Sequence, residues 1–528
     1  MDARYALCLV LNAHLPFVRE QANHNLAPST IAENWFFEVL SETYLPLLEL
    51  FDRLEMDSIP FKIGLSISPI LGQMMSDGLL LSKYTANLDH QIEFGERELE
   101  RLKDQPEMLS IAKGYFDRAV DRRAAFSTRY DGDVIKVLDH YCQRGNLEII
   151  ACPATHAFLP SLCQFPEAAQ AQMEAAQPFY RYSFGLFPRG LWLPELGWSK
   201  ELDSIISSFG YKYTVADSHG FIFGNPPPSK GSFFPVRTPE SVSIFSRDYY
   251  ACREMSLLAD SEHYRDNSLD IGFELPTSEI SQFLTKHGAR CYTGYKYWKM
   301  GGCGELYDPE RARRSAYEHA KAFYDHCRKR LITASKHMQE MPVSVVAFNA
   351  DAFGRYWHEG SIFLENLFRL AAKDGELPLM TPSEYLGRQN ASSFEVSAPD
   401  FSTWGSNGYA EQWLDSSNDW VYRHLNRASA RMMEMAENYD DVSDLKERAL
   451  NQAARELMLA QASDWPAMLQ RREHTEYARK QIETALRNFN TIYNALSTSN
   501  ISTEWLIRLE RRHNIFPHMN YRIFRRKQ

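Results

Sequence analysis

Seven short apolar runs, spaced along the first ~390 residues, constrain the fold of this chain more than any other feature. They are YALCLVL from Tyr5, FKIGLSIS from Phe61, LEIIAC from Leu147, GLWL from Gly190, YKYTVA from Tyr211, VSIF from Val242 and VSVVAF from Val343. Each is rich in β-branched or aromatic residues and lacks the alternation of a half-exposed strand; longer segments, many with helical periodicity, separate them. Strands of this kind need cover on both faces, which a parallel sheet alternating with helices supplies, so the class is α/β. Just past the runs stand Asn12 and His14, Ser68, Thr155 and His156, Glu195, Asp217 and His219, Arg247 and Asp248, then Asn349 and Asp351. In a TIM-like barrel the loops at the C-terminal strand ends converge on one cavity, and seven runs in place of eight make that barrel incomplete.

The barrel is expected over residues 1–390, with a charged helical insertion around 91–130. After Leu386 the stretch GRQNASSFEVSAPDFSTWGSNGY reads as a linker or surface loop. From Asp415 to about Arg511 the periodicity is helical, so 391–528 is expected to form an all-helical C-terminal domain. A net charge of −10 opposes a nucleic-acid partner, which needs concentrated Lys and Arg; only the tail YRIFRRKQ is locally basic. Eight cysteines, at 8, 142, 152, 163, 252, 291, 303 and 327, show no CxxC pair and read as free thiols of a reducing compartment. The N-terminal apolar run reads as a strand and not a signal peptide, and no stretch approaches the ~20 apolar residues of a membrane span, so a cytoplasmic location and no membrane partner are expected.

Candidate chemistry gathers at two of the run ends. In RGLWLPELGW, Glu195 follows a strand and is framed by Trp192, Pro194 and Trp198, as suits a glycosidase nucleophile whose aromatic neighbours shape a sugar subsite. Helix capping is the structural alternative for such a Glu. Retaining glycosidases also need a second carboxyl group, first acid and then base. Asn349 and Asp351, in AFNADAFGRYWHEG, hold the corresponding place and would share one face of an extended strand. His14 and His156 could hydrogen-bond sugar hydroxyls, and Trp357 belongs to the aromatic knot beyond Asp351.

Five blocks carry a family resemblance: LNAHLPFVR from Leu11, GNLEIIACPATHAFLP from Gly145, GLWLPELGW from Gly190, AFNADAFGRYWHEG from Ala347 and LPLMTPSEYL from Leu377. With ENWFFEVLSETYLPLL near the start and LNQAARELMLAQASDW in the tail, the chain resembles glycoside hydrolase family 57, in its branch of α-1,4-glucan branching enzymes and α-amylase-like proteins. The resemblance implies an incomplete (β/α)7 barrel, a helical insertion, a helical C-terminal domain and a retaining reaction on α-1,4-glucans without metal or other cofactor. By motif, Glu195 is the nucleophile, Asn349 occupies the acid/base position, and Trp404 and Trp413 are aromatics brought to the glucan cleft by the tail. His14, His156, Trp192, Asp217, His219, Arg247, Asp248 and Trp357 complete the expected substrate contacts.

The family usually has Asp where Asn349 stands, Glu where Asp351 stands, and His at the positions of Asn12 and Arg355. The tryptophan usual within Cys252–Asp266 is missing, as is the loop tyrosine associated with branching. An amide cannot protonate a leaving oxygen, and general acid catalysis is worth ~10²–10⁴-fold. Three readings follow. One is a working enzyme in which Asp351 transfers the proton; another is a glucan-binding or regulatory homologue that has lost activity. The third is a metal-dependent, deacetylase-like barrel using His14, His156, Asp217 and His219. Oligomeric state is left open.

Overall fold

The computed structural model describes residues 4–20, 30–301 and 304–526; Cys303 and the last two residues of the basic tail lie outside them. Six of the seven runs contain a strand, β1 (Ala6–Ala13), β2 (Ile63–Ile67), β3 (Leu147–Ile150), β4 (Tyr213–Ala216), β6 (Ser243–Ser246) and β7 (Val343–Asn349), with a two-residue β5 (Val236–Arg237) between β4 and β6. β1 pairs in parallel with β2 and β7, β2 pairs with β3, and β4 pairs with β6. The fourth run supplies only bridges: Leu191 pairs with Ala151 at the end of β3, and Gly190 with Tyr213 in β4. A bridge from Arg247 to Val345 joins the end of β6 to β7. Each run therefore has a parallel neighbour on both sides. Pro378–Met380 bonds the start of β1 at Leu7, before its pairing with β2 begins at Val10.

The burial of β1 explains why the runs lack alternation. Ala6, Cys8 and Val10 join Ile150, Trp192, Val215, Phe245 and Val345 in one apolar cluster. Leu7, Leu9 and Leu11 belong to a second, larger cluster shared with the surrounding helices. Both faces are dry, so both are apolar. Gly190 is required at its bridge, because a Cβ there would fall 2.2 Å from the ring of Tyr213.

The charged segment around 91–130 belongs to a helical stretch that starts at Gly78. It is a pair of helices, Gly78–Arg101 and Pro106–Ala124, packed on each other and followed by a π-helical turn at Ala125–Arg129. The Tyr115 hydroxyl donates to the Lys296 carbonyl at 2.6 Å and the Tyr297 hydroxyl to Glu98 at 2.8 Å, tying the pair to the irregular segment before helix Pro309–Ser335.

The stretch after Leu386, read as a linker or surface loop, is irregular but packs on the strands and is no free linker. Val396 bridges Arg237, Ala398 bridges Asn225 and Ser402 bridges Trp198. Small side chains permit this close approach, and Ser397, Ser402 and Thr403 are buried. Beyond it run the helices Asp419–Asn438, Asp444–Ala460, Asp464–Arg471, Thr475–Ser497 and Thr503–Arg512. Among the described residues no helix is long and apolar enough to cross a membrane, and the seven described cysteines are free thiols.

Candidate active site

Glu195 sits in a tight turn after the fourth run, with a left-handed backbone (φ 61°, ψ 17°) and left-handed Leu196 behind it (φ 49°). His156, after β3, is left-handed as well (φ 54°). Non-glycine residues hold such conformations only where their surroundings determine them, and here the C-terminal part of the chain does so. The Trp404 backbone N–H donates to the Glu195 carbonyl at 3.0 Å, and the Ser463 N–H to the His156 carbonyl at 3.2 Å.

The same two residues hold the Glu195 carboxylate. Trp404 Nε1 donates to Oε2 at 2.8 Å, and the Ser463 hydroxyl donates to Oε1 at 2.9 Å. Burial pushes the Glu195 carboxyl above the ordinary carboxylate range, and Asp464 adds to this; the bonds from Trp404 and Ser463 favour the charged form.

A chain of hydrogen bonds then leads from the carboxylate to residue 349. His156 Nδ1 lies 3.0 Å from the Ser463 hydroxyl, and Nε2 lies 3.2 Å from Asn12 Nδ2, which also donates to Asn349 Oδ1 at 3.0 Å. With Ser463 donating to Glu195, the network assigns the proton of neutral His156 to Nδ1. Burial, and then the charge of His14, hold the His156 pKa well below its ordinary value, consistent with that neutral form. His14 stacks on His156 with centroids 3.9 Å apart and is fixed by Ser68 at 2.8 Å and Asp464 at 2.9 Å. Asn12 and Asn349 are register partners across β1 and β7. The two positions where the resemblance leads one to expect His and Asp thus touch each other. Asn349 is exposed, while Asn12 is buried and its Oδ1 has no partner among the described residues.

Asp351 does not share a strand face with Asn349. β7 ends at Asn349, and Ala350–Phe353 winds as a 3-10 turn. The Asp351 Oδ1 is buried with no hydrogen-bond partner among the described residues; burial raises its pKa, against the charges of Arg355 and His14.

Asp217, His219 and Arg247 form a network beside this site. Arg247 Nη1 donates to Asp217 Oδ2 at 3.1 Å, and His219 Nδ1 lies 3.2 Å from Asp217 Oδ1. The Arg247 guanidinium stands 5.7 Å from the Trp404 ring centre, a cation–π contact that steadies the indole. Asp248 has another use. It caps helix Tyr249–Ala259, binds Arg330 through both oxygens at 2.7 and 2.6 Å, and accepts from Ser344 at 2.6 Å. Its capacity is filled, so a role in binding substrate is not supported.

Three of the expected cleft aromatics are buried packing residues. Trp192 meets Trp404 edge to face at 5.4 Å, and Trp357 packs on Phe363 at 4.9 Å. Trp413, 1% exposed, stacks on Phe158 at 5.0 Å. Beside Trp357, His358 and Glu359 join a buried ionic cluster in which Arg265 bonds Glu42 at 2.7 Å. The metal-site reading also fails on geometry. His14 and His156 stack on each other while Asp217 pairs with both His219 and Arg247, and among the described residues no group of three or more His, Cys, Asp or Glu is placed to hold a metal ion. Ser463 and Asp464, the residues missed from sequence, lie at the break between two tail helices, where SDW reads as a helix start.

Comparison with known proteins agrees with this architecture. The profile described as "Glycosyl hydrolase family 57" matches residues 8–399, and "1,4-alpha-glucan branching enzyme, C-terminal" matches 424–524. A 1,4-alpha-glucan branching enzyme of Thermococcus kodakarensis is 26% identical, over 97% of this chain and 77% of its own length. The crystal structure of the alpha-amylase AmyC of Thermotoga maritima superposes with a TM-score of 0.91 at 32% identity, covering 99% of this chain and 100% of that one. The branching enzyme of Pyrococcus horikoshii shares the fold, with a TM-score of 0.89 at 24% identity over 99% and 97% of the two chains. The chain belongs to glycoside hydrolase family 57.

Proposed function

We propose that this protein acts on or binds α-1,4-glucans of the glycogen or starch type, through a retaining site built on Glu195 whose activity is reduced or lost because Asn349 occupies the acid/base position. The observation that carries the reading is asymmetry within one site. The carboxylate at 195 is half-buried, its side chain 17% exposed, and held by two donors, while among the described residues the amide at 349 bonds only another amide. In the retaining reaction Glu195 attacks the anomeric carbon as the glycosidic bond breaks, and the departing oxygen takes a proton. Water or a second glucan chain then displaces Glu195, giving hydrolysis or branching. Nothing at Asn349 can supply that proton at neutral pH.

A second reading has its own observation. The buried, unpartnered oxygen of Asp351 and its raised pKa suit a proton donor, which would make the chain a working enzyme. The form without activity is a glucan-binding or regulatory homologue. The scaffold belonging to this proposal is an incomplete (β/α)7 barrel over residues 1–390 with its helical insertion, and a helical domain over 391–528. It works without metal or cofactor in the cytoplasm, with neither a nucleic-acid nor a membrane partner.

Incubating the protein with amylose and assaying reducing ends and branch points separates the readings. Slow or absent product together with retention on amylose supports the proposal. Robust turnover that Asn349→Ala leaves unchanged and Asp351→Asn abolishes supports the second reading. Neither binding nor product overturns both.

A further inference from the structure

A groove of about 880 Å³ lies on the flank of the barrel, away from Glu195, between helix Pro166–Phe184 and the tail residues Asn514–Ile523. Cavities of this size suit extended organic ligands. Two large aromatics line it and face solvent: Tyr182 is 67% exposed and Phe187 48%. Both rings are steadied from behind, as a stacking platform requires. Tyr182 packs against His518 with centroids 4.5 Å apart, and Phe187 lies on Tyr211 at 5.2 Å and 22°. Gln177, Arg181 and Asn514 supply amide and guanidinium groups around the rings. An aromatic floor with hydrogen-bonding walls matches the surface of a sugar chain, apolar on its ring faces and polar at its hydroxyls.

The lining also includes Gln73 and Asp77, on and just after the helix Pro69–Met74 that follows Ser68, and Leu186 and Phe187, just before the fourth run begins. The helical wall between Glu174 and Phe184 is roughly 15 Å long. The tail is fastened to the segment after β2, with the Phe516 N–H donating to Gln73 at 2.8 Å and Asn514 to Asp77 at 3.2 Å.

We propose that this groove is a second, non-catalytic binding site for an α-1,4-glucan chain, with Tyr182 and Phe187 as its stacking platform. It rests on the reading of the protein as glucan-acting. Its effect is to hold a long polysaccharide at the flank while another segment of the same chain, or another chain, occupies the cleft at Glu195.

Electrophoretic retardation of the full-length protein in amylose gels, with maltotriose titrated by calorimetry, tests it. The Y182A/F187A variant is expected to bind amylose at least ~10-fold more weakly, a loss of ~1.4 kcal/mol, while its affinity for maltotriose in the cleft stays at the wild-type value. The single Tyr182→Trp variant is expected to retain amylose. Trp404→Ala is expected to lose maltotriose and still be retarded. Wild-type amylose affinity in Y182A/F187A, with its circular dichroism unchanged, overturns the second site and leaves the cleft reading standing. If the wild type is neither retarded nor binds maltotriose, both fall. If Y182A/F187A instead converts a dimer to monomer in sedimentation without changing glucan affinity, the groove is a self-association surface and the proposal is wrong.

Discussion

Asn349→Asp is the perturbation whose consequence follows most directly from the geometry. Residue 349 ends β7 and is exposed, so a carboxyl group there keeps contact with solvent and carries little desolvation cost. Asn12 already points an N–H at this position from 3.0 Å; donated to the new carboxyl group it favours the ionised form, so only part of the population carries the proton at neutral pH. Restored general acid catalysis is worth ~10²–10⁴-fold, or about 2.7–5.4 kcal/mol of barrier. The single substitution should reach the lower end of that range. Its partner is still Asn12, where the family resemblance leads one to expect His, and Asn12→His combined with Asn349→Asp should gain more than either change alone, as expected of touching residues. The assay is release of reducing ends and formation of branch points from amylose, with each variant compared at equal concentration. No gain in the single or the double variant, with Glu195 still able to accept a sugar from an activated donor, would refute the reasoning that the missing acid limits turnover.

Other outcomes follow from the same network. Trp404→Phe removes the donor to Glu195 Oε2; a hydrogen bond to a charged group is worth ~1.5–3 kcal/mol, so turnover of an activated glucosyl donor should fall roughly 10- to 100-fold, and no change would show that the indole N–H is idle. Ser463→Ala strands the buried N–H of His156 and should cost about 1–3 kcal/mol of stability, read as a lower denaturation midpoint. His358 is pushed down to about 3, chiefly by burial and then by the charge of Arg265. Between an unfolded-state pKa of ~6.5 and that value, the unfolded chain binds a proton that the folded chain refuses, so stability falls by about 1.4 kcal/mol per pH unit as the medium is acidified. In His358→Gln this part of the slope should vanish from denaturation curves taken between pH 6.5 and 4; an unchanged slope would count against the buried neutral imidazole.

The parts of the site legible in the sequence are those that follow a strand. Glu195, His14 and His156 come directly after apolar runs, and the barrel logic sends such residues to one mouth. Ser463 and Asp464 are brought there by tertiary packing alone, 307 positions from His156 in one case and 450 from His14 in the other, and no local pattern encodes a contact at that range. The packing of the loop containing Trp404 was not legible for a related reason. Ser, Asn and Gly are residues of loops, and they are also residues that let two backbones approach, as Ser402 does against Trp198. Aromatic residues carry an equal ambiguity. Trp404 presents its N–H to a carboxylate whereas Trp192, Trp357 and Trp413 fill the interior, and residue type alone does not separate those uses.

α-Glucosyl fluoride probes the central claim most directly, because fluoride leaves without a proton from the protein. Incubating the unmodified protein with this donor, and following fluoride release and the mass of the peptide containing residue 195, isolates the nucleophile from the acid. The account predicts fluoride release and a glucosyl adduct on Glu195, both absent in Glu195→Gln, from a protein that turns over amylose slowly or not at all. Rapid cleavage of amylose at a rate comparable to the fluoride, or no adduct from either donor, would contradict it.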